Sequence, residues 1–207
     1  MAPQTFAQLV SLACHDLRTP LATASGFART LERIDLGQPA GRYVEMIAAA
    51  SDQMAGLLDL LSAAARIEDG RFEPQPQPSN TRELADAAAQ RLPDGAVSVA
   101  GEGALVEVDP SWAAVSLGAL AEAARRHGGL EEIVLAADGP TVEISPIVDG
   151  AGEIATGDNL RDFPAAVGAR VLHAAGATVE LDGERLRVRF PEPKTATTAG
   201  ASTGAGP

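Results

Sequence analysis

The residues of this 207-residue chain best placed to do chemistry are His15, Asp16 and Thr19. On a helix, His15 and Thr19 stand four apart and share a face. Asp16 lies about 100° further round the helix. A neutral imidazole near its ordinary pKa is a good nucleophile at neutral pH. A neighbouring carboxylate can orient the ring and stabilise its proton. The Thr19 hydroxyl, one turn on, could hold a water in line with an acyl phosphate and help hydrolyse it. A surface histidine beside an acid is commonplace, so the weight falls on the segment that carries the three.

That segment reads as a long helix over residues 3–34. Phe6, Val10, Ala13, Leu17, Leu21, Ala24, Phe27 or Ala28, and Leu31 recur at spacings of three and four, the stripe of a helix in a bundle. With Ala13, Leu17 and Leu21 in the core, His15 faces solvent. Pro20 removes a backbone donor and predicts a kink beside the site. After a short connection containing Gly37 and Pro39, a second stripe runs through Tyr43, Ile47, Ala50, Met54, Leu57, Leu61 and Ala64. It stops near Asp69-Gly70. The result is an antiparallel helical hairpin. Two helices alone leave each stripe half wet. Pairing two copies into a four-helix bundle removes that problem, so the spacing predicts a homodimer through residues 1–70.

Residues 71–80 are punctuated by proline and read as a linker. Residues 81–192 read as an α/β sandwich unit. Helices are expected at 81–91, 111–127 and about 162–175, and strands at 104–108, 132–137, 141–148, 177–181 and 185–190. Short connections between strands predict a mostly antiparallel sheet with helices on one face. The Thr-, Ala- and Gly-rich stretch 193–207 is expected to be a disordered tail.

Composition narrows the partners. A formal net charge of −12 argues against nucleic acid and against an anionic membrane surface. Cys14 is the single cysteine, which excludes an intramolecular disulfide and a cysteine-based zinc site. With no signal-peptide pattern and no long apolar run, the expected location is the cytoplasm. His127 and His173 are expected to be structural.

Leu9 to Phe27, with His-Asp-Leu-Arg-Thr-Pro-Leu at 15–21, resembles the phosphoacceptor box of sensor histidine kinases. Leu57 to Leu61, followed by Arg66-Ile67-Glu68-Asp69-Gly70, is similar to the way that family leaves its dimerisation hairpin. The resemblance implies that His15 is the phosphoacceptor and that Asp16 assists phosphoryl transfer to it. Asp16 and Thr19 would together serve dephosphorylation of a partner response regulator. It also implies a nucleotide-binding domain after the linker.

There the chain departs from the pattern at three places. Ala123 stands at the magnesium-ligating asparagine position and Ala119 at the earlier one, with Glu122 a weak substitute. Val148 replaces the adenine-recognising aspartate before Asp149-Gly150-Ala151-Gly152. Asp162-Phe163-Pro164-Ala165 replaces a glycine-rich phosphate cradle, after a short lid at about 153–161. Three losses predict that ATP binds poorly or not at all. The expected function is then a histidine phosphotransferase, relaying phosphoryl groups between response-regulator receiver domains through His15. No cofactor would be firmly bound, and Mg²⁺ would sit on the partner receiver. An upstream kinase or receiver would supply the phosphate. An ATP-dependent kinase with an unusual site, and a non-enzymatic receiver-binding scaffold, are the alternatives.

Overall fold

The computed structural model describes residues 6–34 and 36–193. The predicted tail from 194 and the first residues of the predicted opening helix lie outside them. Two long helices, α1 (Phe6–Glu32) and α2 (Ala40–Glu68), form the antiparallel hairpin. α1 runs through Pro20 as one helix. Two ion pairs cross from α1 to α2: Arg18–Asp59 at 2.5 Å and Arg29–Asp52 at 2.8 Å. Both are exposed, so each contributes at most about 1 kcal/mol. Their value is in matching one helix to the other in register.

The hairpin interior is thin. Cys14, Ala28, Val44, Ala48 and Ser51 are buried within it. The large side chains of the expected stripes look outward instead: Leu17 is 54% exposed, and Tyr43, Ile47, Met54 and Leu57 are also exposed. Leu17, expected on the core side of α1 in a bundle, is thus not covered by α2 within one chain. Short side chains let the two helices approach closely, and that leaves the larger ones on a neighbouring face.

The second unit begins earlier than expected. Residues 71–80, read as a linker, are strapped down. The Phe72 ring packs edge-on against Trp112, with centroids 5.8 Å apart. The Gln75 N–H donates to Asp109 Oδ2 at 2.9 Å. Gln77–Asn80 is a strand, β1, antiparallel to β3 (Leu105–Val108). Proline did not prevent this, because a two-stranded ribbon leaves one edge of β1 free of donors to satisfy.

Between them lie α3 (Thr81–Ala89) and a strand the sequence reading omitted, β2 (Val97–Gly101). Then come α4 (Pro110–Gly128), β4 (Ile133–Asp138) and β5 (Thr141–Ser145). A short α5 (Gly152–Ala155), also unexpected, precedes α6 (Phe163–Ala174), β6 (Thr178–Asp182) and β7 (Arg185–Arg189). The five-stranded sheet has order β2-β4-β5-β7-β6, with β2 parallel to β4 and the other pairs antiparallel. Its buried face presents Ile133, Leu135, Val142, Ile144, Leu186 and Val188 to helices α3, α4 and α6.

Local chemistry explains the helices that frame the site. Asp109 caps α4 by accepting from the Ser111 and Trp112 N–H groups, and Pro110 follows at the first helical position. Gly129, at φ 64°, ends α4 in the left-handed conformation that suits glycine. α6 lies against α4 through small residues. A Cβ on Gly168 would come within 3.3 Å of the Ser116 backbone. None of the helices among the described residues is long and apolar enough to cross a membrane.

The hairpin and the second unit share a small apolar cluster. Leu60 and Ala63 of α2 meet Val167 and Val171 of α6, with Trp112 and Phe72 alongside. The Arg170–Glu68 ion pair at 2.9 Å borders it, with both side chains exposed. Burial outweighs charge at this contact. Leu60→Ala is expected to cost about 2–5 kcal/mol, and Arg170→Ala at most about 1 kcal/mol, read from urea unfolding. The Ser116 hydroxyl is buried without a partner between α4 and α6. Ser116→Ala is therefore expected to leave stability unchanged or raise it by up to about 1 kcal/mol in the same assay.

Candidate functional site

His15, Asp16 and Thr19 lie on α1, and all three are exposed. Neither the His15 ring nor the Asp16 carboxylate has a side-chain hydrogen bond or ion pair among the described residues. The Thr19 carbonyl accepts from the Thr23 hydroxyl at 3.0 Å, and the Thr19 hydroxyl stays free of that bond. The helix thus offers a solvent-facing imidazole with a carboxylate next to it and a hydroxyl one turn on. That arrangement suits attack on a phosphoryl group carried in by another molecule.

Cys14 and Arg18 flank this surface differently. Cys14 is buried between the helices, and burial pushes its thiol pKa up from 9.0; Arg18 opposes the shift, and Asp59 reinforces it. Arg18 is held by Asp59 across the hairpin. Leu17, Leu21, Met54, Leu57 and Leu61 form an apolar groove beside the site, and Phe163 at the start of α6 reaches into its wall.

The three stretches that resemble nucleotide boxes are packed against each other. Ala123 is 1% exposed, and Ala151, Ala155 and Ala165 are fully buried. A Cβ on Gly152 would meet Leu181 Cδ2 at 2.5 Å, so a side chain of β6 occupies the space beside that glycine. Val148 and Asp149 are both exposed on a turn, because β5 ends at Ser145. The alternation that would place them on opposite faces of a strand does not operate there.

Asp162 is the centre of this region. Its carboxylate is buried. Oδ1 accepts from the Ala165 N–H at 3.1 Å and caps α6. Oδ2 binds Arg126, and it lies 3.2 Å from His127 Nε2. A resident carboxylate therefore sits at the N-terminus of α6, in the stretch that the resemblance implies should be a glycine-rich cradle. Glu122, the possible magnesium substitute, is also engaged: both its oxygens take Arg125, at 2.8 and 2.9 Å. That pairing raises the Arg125 pKa above its usual value. No group of three metal-ligating side chains occurs among the described residues. Ala123 offers no ligand atom, Arg125 takes both Glu122 oxygens, and Asp162 caps α6, so these side chains present no ready set of magnesium ligands.

The expectation for the remaining histidines is consistent with their surroundings. His127 is joined to Asp162, and His173 Nδ1 lies 3.3 Å from the Ala177 carbonyl. Sequence reasoning missed Asp162 as an anchor. The signal was present: an aspartate two residues before proline, at the start of an apolar run, is a helix-capping pattern.

Residues 7–70 match the family model of the His Kinase A (phospho-acceptor) domain. No curated protein sequence matches the chain. Among solved structures, full-length ShkA in complex with AMPPNP is similar with a TM-score of 0.59 and 19% identity. The similarity covers 90% of this chain and 45% of that one. This chain thus spans less than half the length of ShkA. The Acinetobacter baumannii histidine kinase AdeS is similar with a TM-score of 0.52 and 14% identity, covering 86% of this chain and 97% of that one. The hairpin is thus similar to a histidine kinase phospho-acceptor domain, and the mixed α/β unit after it shares the fold of the histidine kinase ATPase-like domain. The sensor histidine kinase resemblance is supported.

Two measurements check the geometry. Asp162→Ala removes the α6 cap and leaves Arg126 and His127 without their carboxylate, and should lower stability by about 1–3 kcal/mol. Asp162→Asn keeps a capping oxygen and should cost less. The native Cys14 thiol should react with a disulfide reagent at pH 8 more than about tenfold slower than in urea, where exposure and an ordinary pKa are restored.

Proposed function

We infer that this chain is a histidine phosphotransferase, passing phosphoryl groups between the aspartates of response-regulator receivers through His15. The observation that carries the reading is the contrast between two surfaces. His15 stands open on a hairpin similar to a phospho-acceptor domain, while Asp162, in the stretch expected to cradle phosphates, is already bonded to Arg126 and the first turn of α6.

The step balances without a bound cofactor in this chain. The His15 imidazole attacks the phosphorus of a receiver's acyl phosphate. A P–N bond forms, the P–O bond to the receiver breaks, and the receiver carboxylate leaves with the electron pair. Asp16 takes or stabilises the imidazole proton. The same exchange runs in reverse to a second receiver, because the P–N bond and the acyl phosphate are both high-energy. Magnesium belongs to the receiver's acidic pocket. Thr19 positions a water when hydrolysis replaces transfer. The exposed Leu17, Ile47, Met54 and Leu57 are what a second copy would cover in a four-helix bundle. The α/β unit, fixed to α2 through Leu60 and Val167, would add surface for the receiver. The setting would be the cytoplasm.

The second reading is an ATP-dependent kinase. It is favoured by the fold shared with ShkA, whose structure holds AMPPNP. One experiment separates the two. Incubated with labelled ATP alone, the protein should stay unlabelled; incubated with a phosphorylated receiver, it should gain label that His15→Ala abolishes. Label on His15 from ATP alone would replace the phosphotransferase reading with the kinase. A scaffold would keep its biological effect in His15→Ala. Thr19→Ala should slow receiver dephosphorylation by about tenfold or more with less effect on transfer; equal slowing of both would remove Thr19 from the hydrolytic role.

A further inference from the structure

The cleft between the hairpin and the second unit has a charge the rest of the chain does not prepare for. The chain carries 28 acidic residues against 16 basic ones. Most of its arginines are accordingly ion-paired. Among the described residues, Arg33, Arg42, Arg66, Arg91 and Arg161 have no acidic partner within salt-bridge distance. Two of these five, Arg66 and Arg91, line one cavity of about 320 Å³, together with Arg18. Its single carboxylate is Asp59, already bound to Arg18. Three guanidiniums against one carboxylate leave an excess of two positive charges in a chain that is otherwise strongly negative.

The cavity is built from both units. Arg18 comes from α1, Arg66 from α2, and Arg91 from just after α3. The Arg91 stem is laid along α4 over Gly118. A Cβ at Gly118 would reach its Cδ at 3.4 Å, an ordinary contact that leaves no room for a larger side chain. Ser62 and Ser111 add hydroxyls, and Trp112, the single tryptophan of the chain, forms part of the wall. Guanidinium forks with hydroxyls beside them match phosphate oxygens. A concave space of this size suits a small molecule rather than a protein surface.

We propose that this cleft binds a small phosphate-bearing ligand, at diphosphate scale, that bridges Arg66 of the hairpin and Arg91 of the second unit. Arg91 and Leu60 also line the adjoining cavity that reaches Asp162, whose carboxylate is already bound to Arg126, so the excess positive charge stays on the Arg66 side. The proposal stands whether or not His15 relays phosphate between receivers. A ligand there bridges the hairpin and the α/β unit in a cleft whose wall includes Arg18, three residues on from His15. It would make the attachment of one to the other responsive to a metabolite. Pairing of this kind weakens with salt.

The test titrates the intact chain with inorganic pyrophosphate, reading Trp112 fluorescence and, independently, binding heat. Saturable binding is expected. Arg66→Ala and Arg91→Ala should each weaken it by about tenfold, the loss of one charge-assisted pair. Arg161→Ala, which removes an unpaired arginine outside the cleft, should leave it unchanged. ADP and AMP arms identify the source of the phosphate. Competition by ADP but not AMP assigns a nucleoside diphosphate, and competition by neither assigns an inorganic diphosphate. Absence of saturable pyrophosphate binding overturns the proposal, as does equal weakening by all three substitutions. Loss of receiver binding in Arg66→Ala and Arg91→Ala with no pyrophosphate effect would also overturn it, assigning the arginines to protein docking. Thermal melts of each variant show that the fold is retained.

Discussion

The structure is governed by how little two helices can hide. Close packing of α1 on α2 uses Cys14, Ala28, Val44 and Ala48, and these small side chains leave no depth for Leu17, Tyr43, Ile47 or Met54. A hairpin built this way needs other surfaces. One is supplied within the chain, where Leu60 and Ala63 meet Val167 and Val171 of α6. On the proposed reading, a second copy covers the remaining apolar face. His15 belongs to neither contact, which is why it stays open. The position of the α/β unit follows from the same need, since α2 has to serve two neighbours along its length.

Much of this could be read from the residues in order. The hairpin was legible because helical periodicity is local, and because the His15 to Leu21 segment carries its chemistry within two turns of one helix. The approximate bounds of α4 and α6 were legible too, although the aspartate caps that fix their starts went unread. The face of α2 that is buried was not. Periodicity locates a stripe, but choosing between adjacent stripes depends on how closely the partner helix approaches. β2 and β1 were missed for another reason. Val97 to Gly101 is stabilised by parallel pairing with β4, more than thirty residues away, and Gln77–Asn80 by pairing with β3. Proline-rich composition suggested a free linker where Phe72 and Gln75 are tied to α4.

The candidate site divides in the same way. The departures from the pattern that the resemblance implies were visible as single letters: alanine at position 123, valine at 148, no glycines at 162–165. What replaced it was not. Asp162 meets Arg126 across 36 positions of chain, and only the docking of α6 on α4 brings them together. Absence can be read from one residue, whereas a compensating ion pair needs two and a fold. The interdomain arginines illustrate the point again. Arg18, Arg66 and Arg91 are unremarkable along the sequence and converge only when α3 and α4 are laid against the hairpin.

The Asp162 carboxylate has a thermodynamic consequence beyond its local bonds. A domain whose anion site is empty until a ligand arrives gains stability from that ligand by mass action. Here the counter-charge is covalently part of the chain, at fixed stoichiometry and with no concentration dependence. Arg126, His127 and the first turn of α6 are satisfied as soon as the backbone folds. On the proposed reading, the first turn of α6 needs no nucleotide to complete its fold, and this part of the domain draws none of its stability from a bound anion.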